Sequence, residues 1–420
     1  MPLDIPPPPA QKAAMDDKPR IAVIGAGPAG LIAAETLAQG GAAVTVFDHM
    51  PSVARKFLMA GRGGLNLTHS EPLETFLTRY RPAAPALLEA VRAFPPSALI
   101  AWCEGLGVET FVGSSGRVFP KPLKASPLLR AWLRRLDALG VAFRLRHRWT
   151  GFAARALRFA TPDGEVVHRA EATVLALGGA SWPRLGSDGG WTSLLPDVAV
   201  TPFAPSNVGF VVPWSAKMAA HAGAPLKRIA VSFEGTTQRG EAMLTASGIE
   251  GGAIYALSAA IRNAIAREGS ARFSLDLRPD LPAEEVRRRL AMRGRGETVS
   301  AQLRKALGLP PVAVALVQEA RHGGAAAMEL ASLVKALPLT TRAAHGMARA
   351  ISSAGGIAWT ELDGRFMLRA HPGIFACGEM LDWEAPTGGY LLQGCFATGV
   401  AAAKGALVFA KRGHTVGPAA

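Results

Sequence analysis

Residues 21–48 constrain this chain more than any other stretch. Ile21-Ala22-Val23-Ile24 is an apolar run of the length of one buried strand. Gly25-Ala26-Gly27-Pro28-Ala29-Gly30 follows at once, Leu31 to Gln39 reads as a helix, and Gly40-Gly41 stops it. Ala42 to Phe47 is a second apolar strand with Asp48 at its end. In such a βαβ unit the first glycine permits the tight turn, the second lets backbone approach a pyrophosphate, and the third lets helix and strand pack closely. The helix N-terminus offers unpaired N–H groups and partial positive charge to the phosphates. Asp48, about 20 residues on, is placed to accept hydrogen bonds from a ribose hydroxyl. The bland alternative is a Gly-rich βα turn with no ligand. Strand, helix and acid in their places favour a dinucleotide site.

At 420 residues, 49% of them hydrophobic, the chain has room for two or three domains with filled cores. No run approaches 18 uncharged apolar residues, so no membrane span is expected. Residues 1–18 are Pro-rich and polar, lack the features of a secretory signal, and read as a disordered tail. Cys103, Cys377 and Cys395 are few and far apart, which suits a reducing cytoplasm. They offer no CxxC pair, and the scattered histidines contain no HExxH, so no metal site is expected.

Net charge is +14, with arginine concentrated in two segments. One carries Arg130, Arg134, Arg135, Arg144, Arg146, Arg148, Arg155 and Arg158; the other Arg278, Arg287, Arg288, Arg289, Arg293, Arg295, Arg304 and Lys305. Such an excess raises the prior for an anionic partner, nucleic acid included, against the alternative of a solvated surface.

After Asp48, the stretch Met59 to His69 is too dense in glycine for a regular helix or central strand. Amides in such a loop form an anion-binding concavity, and Arg55, Lys56 and Arg62 add charge. Residues 84–150 read as helices with a short strand, their tryptophans as core. Asp163-Gly164 marks a hairpin. Ala172 to Leu177 is another buried strand, ending in Gly178-Gly179. In an open α/β sheet, ligands bind outside the carboxyl ends of strands, so this end and Gly25 are expected to face one cofactor. From 191 to about 349 the character changes. Asn207–Trp214, Ile229–Phe233 and Arg272–Leu277 look like antiparallel strands, and Pro282–Val334 like helices. The last part returns to the first domain with Ala354–Trp359 and Ile374–Cys377. Gly378-Glu379, Asp382, a Gly-rich loop to Gly394 and an Ala-rich helix from Cys395 follow. The expected division is therefore a tail to 18, the dinucleotide domain at 19–190 and 350–412, an insert at 191–349, and a tail at 413–420.

These segments together resemble the FAD-dependent oxidoreductases, and closely the bacterial YhiN/BaiN-type flavoprotein family. The resemblance runs from about Arg20 to about Phe409. It rests on the Gly25–Gly30 fingerprint with Asp48, Arg55-Lys56 with Gly61–Thr68, Leu177–Pro183, Thr245–Gly252, Asp276–Pro279, Ala354–Gly356, and Gly378-Glu379 with Asp382 and Thr387–Gln393. It implies an α/β fold: a discontinuous Rossmann-like FAD-binding domain of the glutathione-reductase type, with an inserted β-barrel plus small helical domain. Cofactor contacts are implied at Gly25, Ala26, Gly27, Pro28, Ala29, Gly30, Asp48, Lys56, Gly61, Arg62, Gly63, Gly64, Asn66 and Thr68. Later contacts are Gly178, Gly179, Gly378, Glu379, Gly388, Gly389, Tyr390, Leu392 and Gln393. Two departures stand out. Relatives often carry a cysteine in the loop where this chain reads Gly64-Leu65-Asn66, and a Gly-Leu-Ser-Gly-Pro run where it reads Gly248-Ile249-Glu250-Gly251-Gly252. Both put the family's substrate in doubt for this chain.

The expected activity is a reductase: FAD takes hydride from NAD(P)H and passes it through N5 to an activated C=C or C=N bond. No second GxGxxG follows a strand, so the nicotinamide would visit transiently. Tyr390, Glu379, Asp382 and Glu250 are the candidates for proton transfer. The alternatives are dihydrouridine formation in ribosomal RNA, for which the arginine segments speak, and an FAD oxidase using O2. The sequence leaves the oligomeric state open.

Overall fold

The computed structural model describes residues 18–415 apart from Gly61, Arg62, Arg155, Arg293 and Arg295. Most of the expected N-terminal tail and the last five residues thus lie outside the described residues, as do two of the expected cofactor contacts, Gly61 and Arg62. The chain forms two compact units. One ends at Ala204 and resumes at Ser353; the other is Pro205–Ser352. The insert expected at 191–349 is set against these bounds.

The first unit is built on β1 (Arg20–Ile24), α1 (Pro28–Gln39), β2 (Ala43–Asp48), α2 (Arg55–Ala60), β3 (Ala142–Leu145), β4 (Ala172–Leu175), β5 (Ile374–Ala376) and α3 (Tyr390–Thr415). The five strands form one sheet in the order β5-β4-β1-β2-β3, every pair parallel. β1 and β4 are covered on both faces, which is why they read as continuous apolar runs rather than alternations. The register pairs Ile24 with both Phe47 and Leu175, and Leu175 with Ala376. The carboxyl ends of β5, β4, β1 and β2 therefore finish in line.

α3 crosses α1 closely because glycine allows it: a Cβ at Gly399 would stand 2.5 Å from the Ala29 carbonyl oxygen. Its window within Tyr390–Arg412 has a mean hydropathy of 1.4, enough by length and composition to cross a membrane. It is thus longer and more apolar than expected from the sequence. Here its Phe396, Ala402, Ala403, Ala406 and Ala410 are buried in the core of this unit.

The expected helical region is present as Pro85–Ala93, Pro96–Gly105 and Ala125–Ala138. Trp132 is fully buried, as a core residue should be. It also serves as a hydrogen-bond donor, its indole N–H reaching Glu35 Oε2 at 2.7 Å. Trp102 donates to the same oxygen at 3.0 Å, and Arg135 to Oε1 at 3.0 Å. With Gln39 Nε2 on Oε1 at 3.2 Å, these donors account for an acid buried on α1. The hairpin at Asp163-Gly164 is found, with Gly164 at φ +119° between Ala156–Thr161 and Gly164–His168.

In the second unit a six-stranded antiparallel sheet runs in the order Phe210–Val211, Gly248–Glu250, Thr236–Thr245, Pro225–Phe233, Ala271–Asp276, Leu337–Thr341. Its edges meet. Val211 N–H donates to Ala343 O at 2.9 Å and His345 N–H to Gly209 O at 2.8 Å, so the hydrogen bonding closes on itself as a barrel. Four helices, Ala283–Ala291, Val299–Leu307, Pro311–Ala320 and Leu330–Lys335, make the helical part. One strand expectation is corrected, and one strand was not expected. Asn207–Trp214 holds only the two-residue strand Phe210–Val211, because Asn207 takes a left-handed φ of +51°. Thr236–Thr245 is a strand with no apolar signal, since its first six residues are exposed.

Candidate cofactor and active site

The site is assembled at the strand ends. Gly25, at φ +105°, makes the turn out of β1; a Cβ there would lie 2.2 Å from Ala176 O. A Cβ on Gly30 would lie 1.8 Å from Gly25 O, so α1 can approach the turn only with glycine. Gly27 differs: a Cβ there would meet no atom within 4 Å. It caps α1 with no side-chain partner, and Pro28 takes a first-turn position, where no N–H is missed. Two glycines are thus required by the fold, while the third, beside Ala26 and Ala29, fronts open space.

Asp48 Oδ2 accepts the Ala26 N–H at 2.7 Å and Oδ1 the Met50 N–H at 2.8 Å. It clamps the glycine turn to the end of β2, a role the motif alone did not suggest. Each oxygen keeps further acceptor capacity for a ribose.

Lys56, on α2, meets Glu379, just beyond β5: Nζ donates to Oε2 at 2.7 Å, to Ser181 Oγ at 3.0 Å and to Ser187 Oγ at 3.4 Å. The Ser353 N–H donates to Glu379 Oε1 at 2.9 Å. Burial pushes the Glu379 carboxyl up, but Lys56 and the Ser353 and Gly179 amides outweigh it and the net shift is downward. Gly179 and Gly378 border this cluster. A Cβ on Gly179 would fall 1.8 Å from Ser353 Oγ, and one on Gly378, at φ +80°, would fall 2.7 Å from the Ala29 Cβ. The Gly178 carbonyl accepts the Trp191 indole N–H at 2.9 Å.

The Gly-rich loops also converge. A Cβ on Gly389 would stand 2.4 Å from Thr68 Cα, Thr68 Oγ1 donates to Gln393 Oε1 at 2.8 Å, and Gln393 Nε2 donates to Phe94 O at 2.6 Å. Gln393 and Thr68 thus tie the loops to each other. Gly388 is buried in the same turn, and Leu392 after it is half-buried. Gly63 and Gly64 precede Leu65, which is fully buried. Asn66 Oδ1 is buried with no hydrogen-bond partner, as is Arg55 Nε. Such orphaned atoms call for a partner.

The four proton-transfer candidates separate. The Tyr390 hydroxyl donates to Glu71 Oε1 at 2.7 Å, and Arg79 holds Glu71 from the other side at 2.6 and 3.0 Å. Burial first, then Glu71, pushes this hydroxyl well above its ordinary 10.0. Glu379 is an ion-pair partner held as carboxylate, not a proton donor. Asp382 Oδ2 accepts from Thr201 Oγ1 at 2.8 Å. Glu250 belongs to the second unit, 3.3 Å from Arg349. Cys395 is pushed up to about 12 by burial, then by Glu379, so it offers no thiolate. Sequence reading missed Ser181, Ser187, Ser353, Glu71 and Arg79. Lys56 and Glu379 lie 323 residues apart, and no spacing signal links them.

The HI0933-like protein Rossmann domain matches residues 19–405. The chain belongs to the HI0933-like family. It is an FAD-dependent oxidoreductase with a Rossmann-like cofactor domain, in agreement with the resemblance in its motifs. The 3-dehydro-bile acid delta(4,6)-reductase of Clostridium scindens is 25% identical over 413 residues, covering 92% of this chain and 98% of that protein. Among solved structures, a flavocytochrome c3 fumarate reductase in its open conformation is 16% identical at a TM-score of 0.49, over 96% of this chain and 80% of that one. The 3-ketosteroid-delta4-(5alpha)-dehydrogenase from Rhodococcus jostii RHA1 is 15% identical at a TM-score of 0.49, over 94% and 97%.

Proposed function

We propose that this FAD-dependent oxidoreductase is a reductase that saturates a C=C bond conjugated to a carbonyl in a small molecule, with NAD(P)H as a transient donor. One observation carries the reading: the reductase similar to it along nearly the whole of both chains is named for a 3-dehydro bile acid and its Δ4,6 positions. An oxo group at position 3 is conjugated with double bonds there, which is the activated C=C expected from sequence.

The residues present fit FAD. The open cradle at Gly27 suits a pyrophosphate, with Gly25, Ala26, Pro28, Ala29 and Gly30 shaping the turn and Asp48 the ribose side. Lys56, Gly63, Gly64, Asn66, Thr68, Gly178, Gly179, Gly378, Glu379, Gly388, Gly389, Tyr390, Leu392 and Gln393 line the strand ends and loops around it. FAD supplies the hydride chemistry of the reaction. Lys56, ion-paired with Glu379 and bonded to Ser181 and Ser187, ties α2 to the strand-end loops beside the cradle. The raised Tyr390 hydroxyl keeps its proton, so at neutral pH it acts as a hydrogen-bond donor to Glu71.

The RNA alternative finds no support. Arg288 and Arg289 are bonded to Glu285, and Arg287 to Glu284 and Glu329. Arg278 donates to the Leu307 and Gly308 carbonyls. These guanidiniums are spent on their own unit. A salt titration tests the point: RNA binding would weaken with a log–log slope of roughly −0.7 per phosphate neutralised, and no binding is expected. For the reductase reading, the holoenzyme is photoreduced anaerobically and mixed with a conjugated ketone. Reoxidation of the flavin and a saturated ketone are expected; a flavin reoxidised only by O2 would favour the oxidase.

A further inference from the structure

The first arginine segment keeps two guanidiniums free. On the helix Ala125–Ala138, Leu128, Leu129, Trp132 and Leu136 are buried on one face. Arg130 and Arg134 stand one turn apart on the other face, exposed to solvent. With Pro127 and Ala131 they line an open pocket of about 460 Å³ in the first unit. Arg135, the next residue, donates to Glu35 and to the Gly105 carbonyl. Arg130 and Arg134 have no hydrogen-bond or ion-pair partner among the described residues, and Asp137 of the same helix pairs with neither.

The charges of the pocket favour one kind of ligand. Its lining also carries Lys121 and Glu109, which pair with each other and cancel. Two positive charges remain. Like charges at i and i+4 on a helix repel, and no acid relieves these two, whereas Arg288 and Arg289 share Glu285. A dianion between them would remove the repulsion. A carboxylate brings one charge, but a phosphate monoester brings roughly −1.5 to −2 near pH 7 and three acceptor oxygens. Guanidinium forks match that geometry. Val108 and Pro122 make part of the lining apolar, which suits a phosphate carried on an organic body. The pocket also adjoins the Gly-rich loop. Leu123, next after Pro122, accepts the Leu65 N–H at 2.7 Å, and a Cβ on Gly64 would lie 3.8 Å from its side chain.

We propose that this pocket binds a phosphate monoester between Arg130 and Arg134. On the reductase reading above, on which this source rests, the ligand is the 2′-phosphate of NADPH, and the pocket selects that donor over NADH. The place and charge of the site rest on the residues alone.

The test is calorimetric titration of oxidised, FAD-loaded protein at low ionic strength with NADP+, NAD+ and inorganic phosphate. NADP+ and NAD+ differ only in the 2′-phosphate, and neither can reduce the flavin. Wild type is expected to bind NADP+ about ten-fold or more tightly than NAD+. Arg130→Gln and Arg134→Gln should each weaken NADP+ about ten-fold, the lower end for hydrogen bonds to charged groups, and the double variant should remove the preference. Arg134→Lys, which keeps the charge but not the fork, should fall between. Both positions are exposed, so unchanged melting temperatures are expected of the variants. Inorganic phosphate that binds through both arginines, with NADP+ and NAD+ binding alike, would keep the site and make free phosphate its source. Variants that bind NADP+ and phosphate as wild type does, or a wild type that binds neither, overturn the site. Bleaching of the flavin by NADPH reports separately on the donor. An arginine-dependent NADP+ preference without bleaching sinks the donor reading alone, and bleaching without that preference sinks the site alone.

Discussion

At the scale of residues, glycines with the same motif role divide by what surrounds them. A methyl at Gly30 collides with Gly25 O, while one at Gly27 meets nothing. Gly30→Ala is therefore expected to lower thermal stability of the protein with or without FAD. Gly27→Ala is expected to keep its melting temperature without FAD and to lose FAD during purification; retention of stoichiometric FAD would contradict the cradle. The Lys56–Glu379 pair makes a second prediction. Removing one partner of a buried pair costs about 3–5 kcal/mol, so Lys56→Met should lose that much in urea unfolding at pH 7. Because the folded Glu379 carboxyl ionises below its ordinary 4.5, its contribution is complete above that value and lost as pH falls through the folded one. Without Lys56 burial dominates and the carboxyl moves up instead. The penalty of Lys56→Met should then shrink between pH 7 and pH 4. A penalty independent of pH would show that Glu379 does not need its lysine.

At the scale of elements, the parallel strands were legible because they are buried on both faces, and α1 because glycine and proline bracket it. Thr236–Thr245 was not, since a strand facing water along most of its length has no apolar period to read. Asn207–Trp214 misled because the apolar run continues past a left-handed residue. Trp102 and Trp132 were correctly taken as core, but their shared acceptor on α1 was invisible: three elements meet at Glu35. Trp132→Phe should cost about 1–3 kcal/mol, more than the lost area alone, because it removes a donor from a buried carboxylate. A loss under about 0.5 kcal/mol in denaturant unfolding would mean that Trp102, Arg135 and Gln39 suffice. The clamp by Asp48 belongs here too. Asp48→Ala frees two amides of the turn, so it should lower both FAD retention and stability, where a ribose contact alone would affect retention only.

For the whole molecule, the motifs gave the cofactor and the fold class, while the chemistry around the cofactor depended on contacts hundreds of residues apart. Lys56 with Glu379, Thr68 with Gln393 and Glu71 with Tyr390 all join distant segments, and only folding reveals that Glu379 is ion-paired with Lys56 and Tyr390 held by Glu71. In the second arginine segment, Arg288 and Arg289 bond Glu285 and Arg278 bonds a backbone carbonyl, contacts that a count of charges does not show. The most direct measurement is the visible absorption spectrum of the purified protein, repeated anaerobically with NADPH and with NADH. Flavin bands at one FAD per chain are expected, bleaching with one of the two nicotinamides. Bands that persist would remove the nicotinamide as donor, and a protein that shows no flavin even after reconstitution with FAD would contradict the central claim.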